Sequence, residues 1–489
     1  MLRVLGSTKR FCNGMTRRDA LWAGGLFGLG LSDPLTSNLT AAEPVREKHF
    51  GRAKACILLF LYGSPSQLEF ADMKPDAPVE IKGELNGIRS SLPGCDVCEL
   101  LPYTAKVMHE TTVRRSLTHK YPIHGVAYAT TGVPEIDVPM ELNPRDGRHW
   151  PYIGSVISYL EQHKRARKPV PDNIFLPWQM SSRRTGEVQR AGPYAAYLGA
   201  AYNPHFTEFV GEATAEITKK LGQTTQTFKE PYVGIRSDAR FTLGDATTLP
   251  AEVTVDRLDG RKSLLQQIDD GRRLRDSGFD RHRDMAWSMI GNNQIRDALD
   301  IGREPLGLRE SYGMTVFGQG ALAARRLVEA GSRFVTVFWD EFGLAGSGWD
   351  THAEHYPRMK NELMPGFDRG YSGLIADLKQ RGMLDDTLVL VLSEHGRTPK
   401  LNKAWGGGRD HWSQAYTALL AGGGTARGRV VGKTDATGGT VLDGPVSPKD
   451  LLATVYHLLG YDLETVIRDK TNRPQAIIPG GSVATELLA

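Results

Sequence analysis

Three stretches of the chain, Ala55–Tyr62 (ACILLFLY), Arg333–Trp339 (RFVTVFW) and Thr387–Leu392 (TLVLVL), are apolar almost without interruption. A strand with one face in water alternates apolar and polar side chains, whereas a strand covered on both faces does not. These runs therefore predict central strands of a mainly parallel sheet. Each stops abruptly at a polar or glycine-bearing loop: Gly63-Ser64-Pro65-Ser66 after the first, a loop ending Gly348-Trp349-Asp350-Thr351-His352 after the second, and Ser393-Glu394-His395-Gly396 after the third. Helical periodicity fills the intervals. Leu363, Phe367, Tyr371, Leu374 and Leu378 fall on one face of a helix that Gly382 ends, and Asp450–Leu459 reads as an amphipathic helix stopped by Gly460. Ala415–Leu420 reads as one more strand. Strand, polar loop, helix, strand is the signature of an α/β fold, here a three-layer α/β/α arrangement.

The ends and the middle of the chain are organised differently. Thr16-Arg17-Arg18-Asp19 precedes a moderately apolar, glycine-rich run from Ala20 to Leu31 and small residues ending at Ala41-Ala42. This resembles a twin-arginine export signal over residues 1–42, followed by a linker at 43–54; an anchoring segment with two incidental arginines is the alternative. The run is shorter than the roughly 20 apolar residues of a membrane-spanning helix, so no stable transmembrane segment is expected. Residues 55–489 form the α/β domain, with a loop-rich and helical insertion at about 172–320. In that insertion 172–250 reads as loops and short strands decorating the sheet, and 253–331 as mostly helical. The 60 basic residues almost balance the 56 acidic ones, which excludes a bulk electrostatic footprint for nucleic acid. Export would permit a disulfide between Cys95 and Cys98; two thiols in a turn after Pro93-Gly94 is the alternative. Nothing in the sequence speaks to oligomeric state.

The polar residues at the strand ends carry the chemistry. In open α/β sheets, the loops leaving the carboxyl ends of strands line the site. Three such loops supply Asp350, His352 and His355; Glu394 and His395; and Asp410 and His411. Carboxylates mixed with imidazoles are the ligands of zinc, manganese or a related divalent ion. Arg397 is placed to clamp an anionic substrate, or to form a salt bridge with Asp410 or Glu394. Glu69 and Asp72 follow the first strand and are candidates on position alone. Arg114 to Gly125 concentrates two arginines, two hydroxyls and two histidines, among them Arg115, Ser116, Thr118 and His124, a composition suited to holding an oxyanion.

The segments GSPSQLEFADMKPDAP, RSLTHKYPIHG, GWDTHAEH, SEHGRTPK, GRDHW and PKDLLATVYHLLG resemble the domain of unknown function 1501 family, exported proteins of the alkaline phosphatase and sulfatase superfamily. The resemblance runs from about residue 50 to the C-terminus and implies an alkaline phosphatase-like fold. It implies one or two metals, zinc, calcium or manganese, held by Asp350 with His352 or His355, by Glu394-His395 in place of an Asp-His pair, and by His411. Two departures accompany it. Gly63-Ser64 stands where the superfamily places an Asp after the first strand, and no cysteine lies in a C-x-P-x-R context. Ser116, Thr118 or His124 would then serve near the site, or a metal-bound water would attack directly, with Arg115 and Arg397 on the oxyanion. The expectation is an exported metal-dependent hydrolase of small-molecule or polysaccharide sulfate or phosphate esters. The alternative is a catalytically silent envelope protein that binds a glycan or a protein partner.

Overall fold

A computed structural model of the chain describes residues 49–121, 124–134, 137–162, 170–186, 189–243, 293–344, 348–403, 406–469 and 471–489. The predicted signal, the basic segment 165–168 and the charge-dense stretch 253–292 lie outside the described residues. An eight-stranded sheet organises the rest. Its strands in chain order are β1 (Ala55–Leu61), β2 (Thr111–Leu117), β3 (Asn173–Leu176), β4 (His205–Phe206), β5 (Phe334–Trp339), β6 (Thr387–Leu392), β7 (Tyr416–Ala421) and β8 (Arg429–Val431). Across the sheet the order is β8-β2-β7-β6-β1-β5-β3-β4. β1 pairs in parallel with both β5 and β6, at Leu59↔Val337 and Leu59↔Val391, so the three apolar runs are the central strands. Only β7 runs against its neighbours, pairing antiparallel with β6 and β2.

Two separate cores show why these strands are apolar on both faces. Ile57, Leu59 and Leu61 of β1 point into one core, with Leu322 and Leu327 of α3 (Val316–Glu329) and Phe367, Tyr371 and Leu374 of α4 (Met364–Gln380). Cys56, Leu58, Phe60 and Tyr62 point into the other. There they meet α1 (Val126–Thr131), α2 (Ile153–Glu161) and α5 (Pro448–Leu458). The period of two along a strand thus becomes a three-layer α/β/α fold. Helix α5 starts where its sequence says it should: Ser447 and Asp450 form a capping box around Pro448, and Gly460 follows the end at φ +82°.

Two expectations need correction, and one pair of alternatives is decided. The stretch about 172–320 is not wholly an insertion decorating the sheet, because β3 and β4 lie within it and extend the central sheet beyond β5. Residues 111–117, read as polar, form a strand of that sheet. Arg114 hides the signal: it is fully buried and neutralised by Glu486 at 2.7 Å, so a charged residue occupies an interior strand position. Finally, Cys95 and Cys98 are separate buried thiols rather than a bridge. No described helix is long and apolar enough to cross a membrane.

Candidate metal centre

The end of β1 holds the neighbouring loops together. Gly63 and Ser64 both adopt positive φ, +91° and +72°. The Gly63 amide donates to Glu394 Oε1 (2.8 Å), the His395 amide donates to Ser64 Oγ (3.2 Å), and the Trp349 amide donates to Tyr62 O (2.9 Å). A Cβ at Gly63 would lie 2.2 Å from the Asp350 amide nitrogen, so the loop carrying Asp350 closes on β1 only because residue 63 has no side chain. Gly63→Ala combines left-handed strain with a backbone collision, and a loss of about 2–4 kcal/mol is expected. A melting temperature equal to that of the wild type would contradict this account.

Over this platform six side chains from four segments converge. His124, in the turn before α1, places Nε2 3.1 Å from Asp350 Oδ2 and Nδ1 3.0 Å from Glu394 Oε1. Asp350 Oδ1, His352 Nε2 and His411 Nε2 form a triangle with sides of 3.1, 3.2 and 3.0 Å. Four ligands about 2.0–2.1 Å from a tetrahedral zinc lie roughly 3.3 Å from one another, so the triangle has nearly the edge lengths of such a site. His124, His395 and His411 each offer a nitrogen within 4.8 Å of the other two, a second set that shares His411 with the first. Behind His352, Asp410 accepts from Nδ1 at 2.7 Å, the carboxylate–imidazole support that orients a metal ligand.

Two buried atoms in this cluster have no hydrogen-bond partner, Glu394 Oε2 and His395 Nε2. His395 Nδ1 lies 2.8 Å from the Gly396 carbonyl, which can only accept, so Nδ1 carries the proton and Nε2 an unshared pair. Burial, reinforced by nearby His411 and Arg397, holds this imidazole neutral, well below the ordinary histidine range. Leaving a buried acceptor unmatched costs about 1–3 kcal/mol, which a bound cation would recover. The donor set therefore fits a divalent metal, with Asp350, His352 and His411 as its core and His124, His395 and Glu394 beside them. Protonation follows the same pattern. Burial pulls His124 down, but Asp350 and Glu394 outweigh it and raise it to about 9. Burial likewise opposes ionisation of Asp350, yet Arg397 and His124 hold it well below the usual carboxylate range.

Residues 53–488 match the family described as "Protein of unknown function (DUF1501)". The chain belongs to that family. No curated protein sequence matches it. Among solved structures it is similar to Ps i-CgsB, at 12% identity over 83% of this chain and 72% of that one, with a TM-score of 0.36. It is similar to the PsFucS1 sulfatase from Pseudoalteromonas sp., at 13% identity over 84% and 68%, TM-score 0.35. It is also similar to the phosphonate monoester hydrolase SpPMH from Silicibacter pomeroyi, at 12% identity over 89% and 76%, TM-score 0.33.

Not every residue expected at the site of this DUF1501 chain is found in the cluster. Glu69 is buried against Arg409, whose Nε donates to Oε1 at 2.8 Å, and faces His355 Nε2 at 3.6 Å. His355 Nδ1 is 2.7 Å from Thr351 Oγ1, so His355 braces the loop instead of facing the cluster. Asp72 is taken by Lys74 (3.0 Å), Arg115 (3.3 Å) and the Thr434 hydroxyl. Arg115 also donates to Ala71 O (2.9 Å), which turns it to a different cleft. The Ser116 hydroxyl donates to Gly444 O (2.6 Å), and the Thr118 amide to Val446 O (3.0 Å). Arg397 is fully buried; it donates to the carbonyls of Gly63, Ser64 and Arg409 and to Asp350 Oδ1. It is a strut beneath the site, and its salt bridge goes to Asp350 instead of to Asp410 or Glu394. His119, counted in the polar concentration from Arg114 to Gly125 but not singled out as a site residue, joins the edge of the cluster: its Nε2 lies 2.8 Å from Glu394 O. Burial lowers His119 to about 4, so it is neutral and can donate there. Its spacing of five residues from His124 within RSLTHKYPIHG was the available signal.

Proposed function

We propose that the chain is a metal-dependent hydrolase acting on sulfate or phosphate esters. The observation that carries this reading is the Asp350–His352–His411 triangle with the unmatched His395 Nε2 beside it. Imidazole-rich donor sets suit zinc or manganese better than calcium, which prefers six to eight oxygens. When bound, such an ion supplies Lewis acidity toward an ester oxygen. The chain's own residues do the rest: Asp410 fixes the His352 tautomer, Arg397 holds the Asp350 carboxylate ionised, and His124, bridging two carboxylates, stores a proton next to the reacting position. Ser64 is tied to the cluster through the His395 amide, and Ser393 through the His395 carbonyl, to which its hydroxyl donates at 2.8 Å. The reading extends to export by the twin-arginine signal at 1–42, to a periplasmic or extracellular location, and to a domain spanning 55–489.

A second reading, a binding protein without catalysis, is favoured by Gly63-Ser64, which brings no carboxylate to the end of β1, and by the Arg397 guanidinium on Asp350 Oδ1. Elemental analysis and turnover separate the two. The hydrolase reading expects at least about one equivalent of divalent metal after dialysis, lost with a chelator, and hydrolysis of an aryl sulfate or aryl phosphate that falls to background in His411→Ala. Substoichiometric metal after reloading, with equal background rates in both proteins, would establish the binding role.

A further inference from the structure

Arg115, absent from the metal cluster, lines a separate cleft of about 300 Å³ together with Lys74 and Lys82, beside Leu68, Met73 and Leu85. Asp72 is buried behind Arg115 and Lys74. The size of the cleft lies at the lower end for small-molecule sites, and its walls are mixed, with Asn86 and Asp96 beside the three cations and Pro75 beside the apolar side chains. The charges are unevenly matched. Asp72, fully buried, serves both Lys74 and Arg115, so one carboxylate faces two cations. The Lys82 ammonium donates to a neutral partner, Pro75 O at 3.1 Å. Asp96 is the one acidic residue of the lining, so with Asp72 buried behind it three cations stand against two carboxylates. Lys74 and Arg115 are each about one-fifth exposed, 17% and 19%, so they are partly desolvated yet reachable. Charge in that setting is worth more than on an open surface.

The cleft adjoins the loop that carries His411. Trp412 Nε1 donates to Gly439 O at 2.7 Å, while its neighbour Gly438 lies over Leu68 and near the Lys74 stem. On the other side Gly83, also in the lining, lies against Tyr356 and Arg409, and the Arg409 guanidinium donates to Ile81 O.

We propose that this cleft is an anion-binding subsite for an organic anion: a sulfate or carboxylate carried on a ring whose face rests on Leu68, Met73 and Leu85. As the neighbouring unit of a polyanionic substrate, that group would deepen the hydrolase reading and rests on it; binding at the cleft itself does not. Calorimetric titration of the full chain with inorganic sulfate, dextran sulfate and unmodified dextran tests this, using wild type, the double variant Lys74→Met and Lys82→Met, and His411→Ala. Dextran sulfate is expected to bind the wild type and His411→Ala alike, to lose about tenfold or more in affinity in the double variant, and to weaken with added salt. Unmodified dextran is expected not to bind. Inorganic sulfate binding with the same lysine dependence and equal strength identifies a free anion as the ligand; much tighter dextran sulfate identifies the ring-borne group. Unchanged affinity in the double variant, or a loss in His411→Ala alone, places the anion at the metal cluster and overturns the proposal. Unchanged melting of the double variant keeps the comparison interpretable, since Lys82 is exposed and Met preserves most of each stem. These binding results stand whether or not the protein hydrolyses esters.

Discussion

On the proposed hydrolase reading, Asp350→Asn is expected to lower metal binding, ester turnover and stability together. Asp350 is the hub of the site: its carboxylate meets His124 (3.1 Å), His352 (3.1 Å), His411 (3.2 Å) and the Arg397 guanidinium. An amide keeps the shape but removes the charge. Arg397 is then a buried guanidinium held only by carbonyl oxygens, and breaking a buried pair from one side costs about 3–5 kcal/mol. In a domain of this size, that lowers the melting temperature by roughly 3–6 °C. With its anionic ligand gone, metal content is expected to fall well below stoichiometric at micromolar metal, and aryl ester turnover by about a hundred- to a thousandfold, the usual scale for removing a preorganised electrostatic element. Elemental analysis, calorimetry and turnover on the same preparation are needed, because the three effects share one cause. Wild-type metal content and melting in the variant would show that Asp350 is neither ligand nor counter-ion. Loss of stability with metal retained would leave Asp350 as counter-ion to Arg397 and place the ligands among the histidines.

The fold was legible because burial on both faces writes itself into a strand as uninterrupted apolar residues. Leu58 and Leu59 of β1 sit in opposite cores, and the sequence has no polar position between them to suggest otherwise. β2 was not legible, because Arg114 and Thr112 are buried there, satisfied by partners more than 300 residues away that no local pattern encodes. At the site, GWDTHAEH, SEHGRTPK and GRDHW named most of the cluster, since ligands cluster at strand ends. Which carboxylate serves which partner was not legible. Glu69, Asp72 and Arg397 are equally plausible ligands or clamps until the chain folds. Only then do Arg409, Lys74 and five carbonyl or carboxylate oxygens claim them. Ion pairing across hundreds of residues is decided by tertiary geometry, whereas strand burial is decided locally.

Glu69→Gln, outside the metal cluster, is expected to be strongly destabilising and to alter the response to acid. Glu69 and Arg409 are both fully buried, and the pair ties the helical turn after β1 to the loop that carries Asp410 and His411. Burial alone would raise the Glu69 carboxyl, but Arg409 and His355 outweigh it and pull it down to about 2 from its ordinary 4.5. A carboxyl depressed in the folded state contributes stability that is present above its unfolded value and is lost as the pH falls through the folded one. The drop from 4.5 to about 2 corresponds to roughly 3 kcal/mol, lost between about pH 4.5 and pH 2. Gln cannot neutralise Arg409, so a loss of about 3–5 kcal/mol is expected near pH 7. The deficit then narrows on acidification, because the wild type sheds its own ion pair. Removing both charges, with Glu69→Leu and Arg409→Met together, is expected to recover much of that loss, since a buried ion pair is often no better than well-packed apolar residues. Melting temperatures of the three proteins at pH 7 and across pH 5 to pH 3 decide the matter. A constant gap between wild type and Glu69→Gln over that range, with no recovery in the double variant, would mean that Glu69 acts through packing and not through its charge.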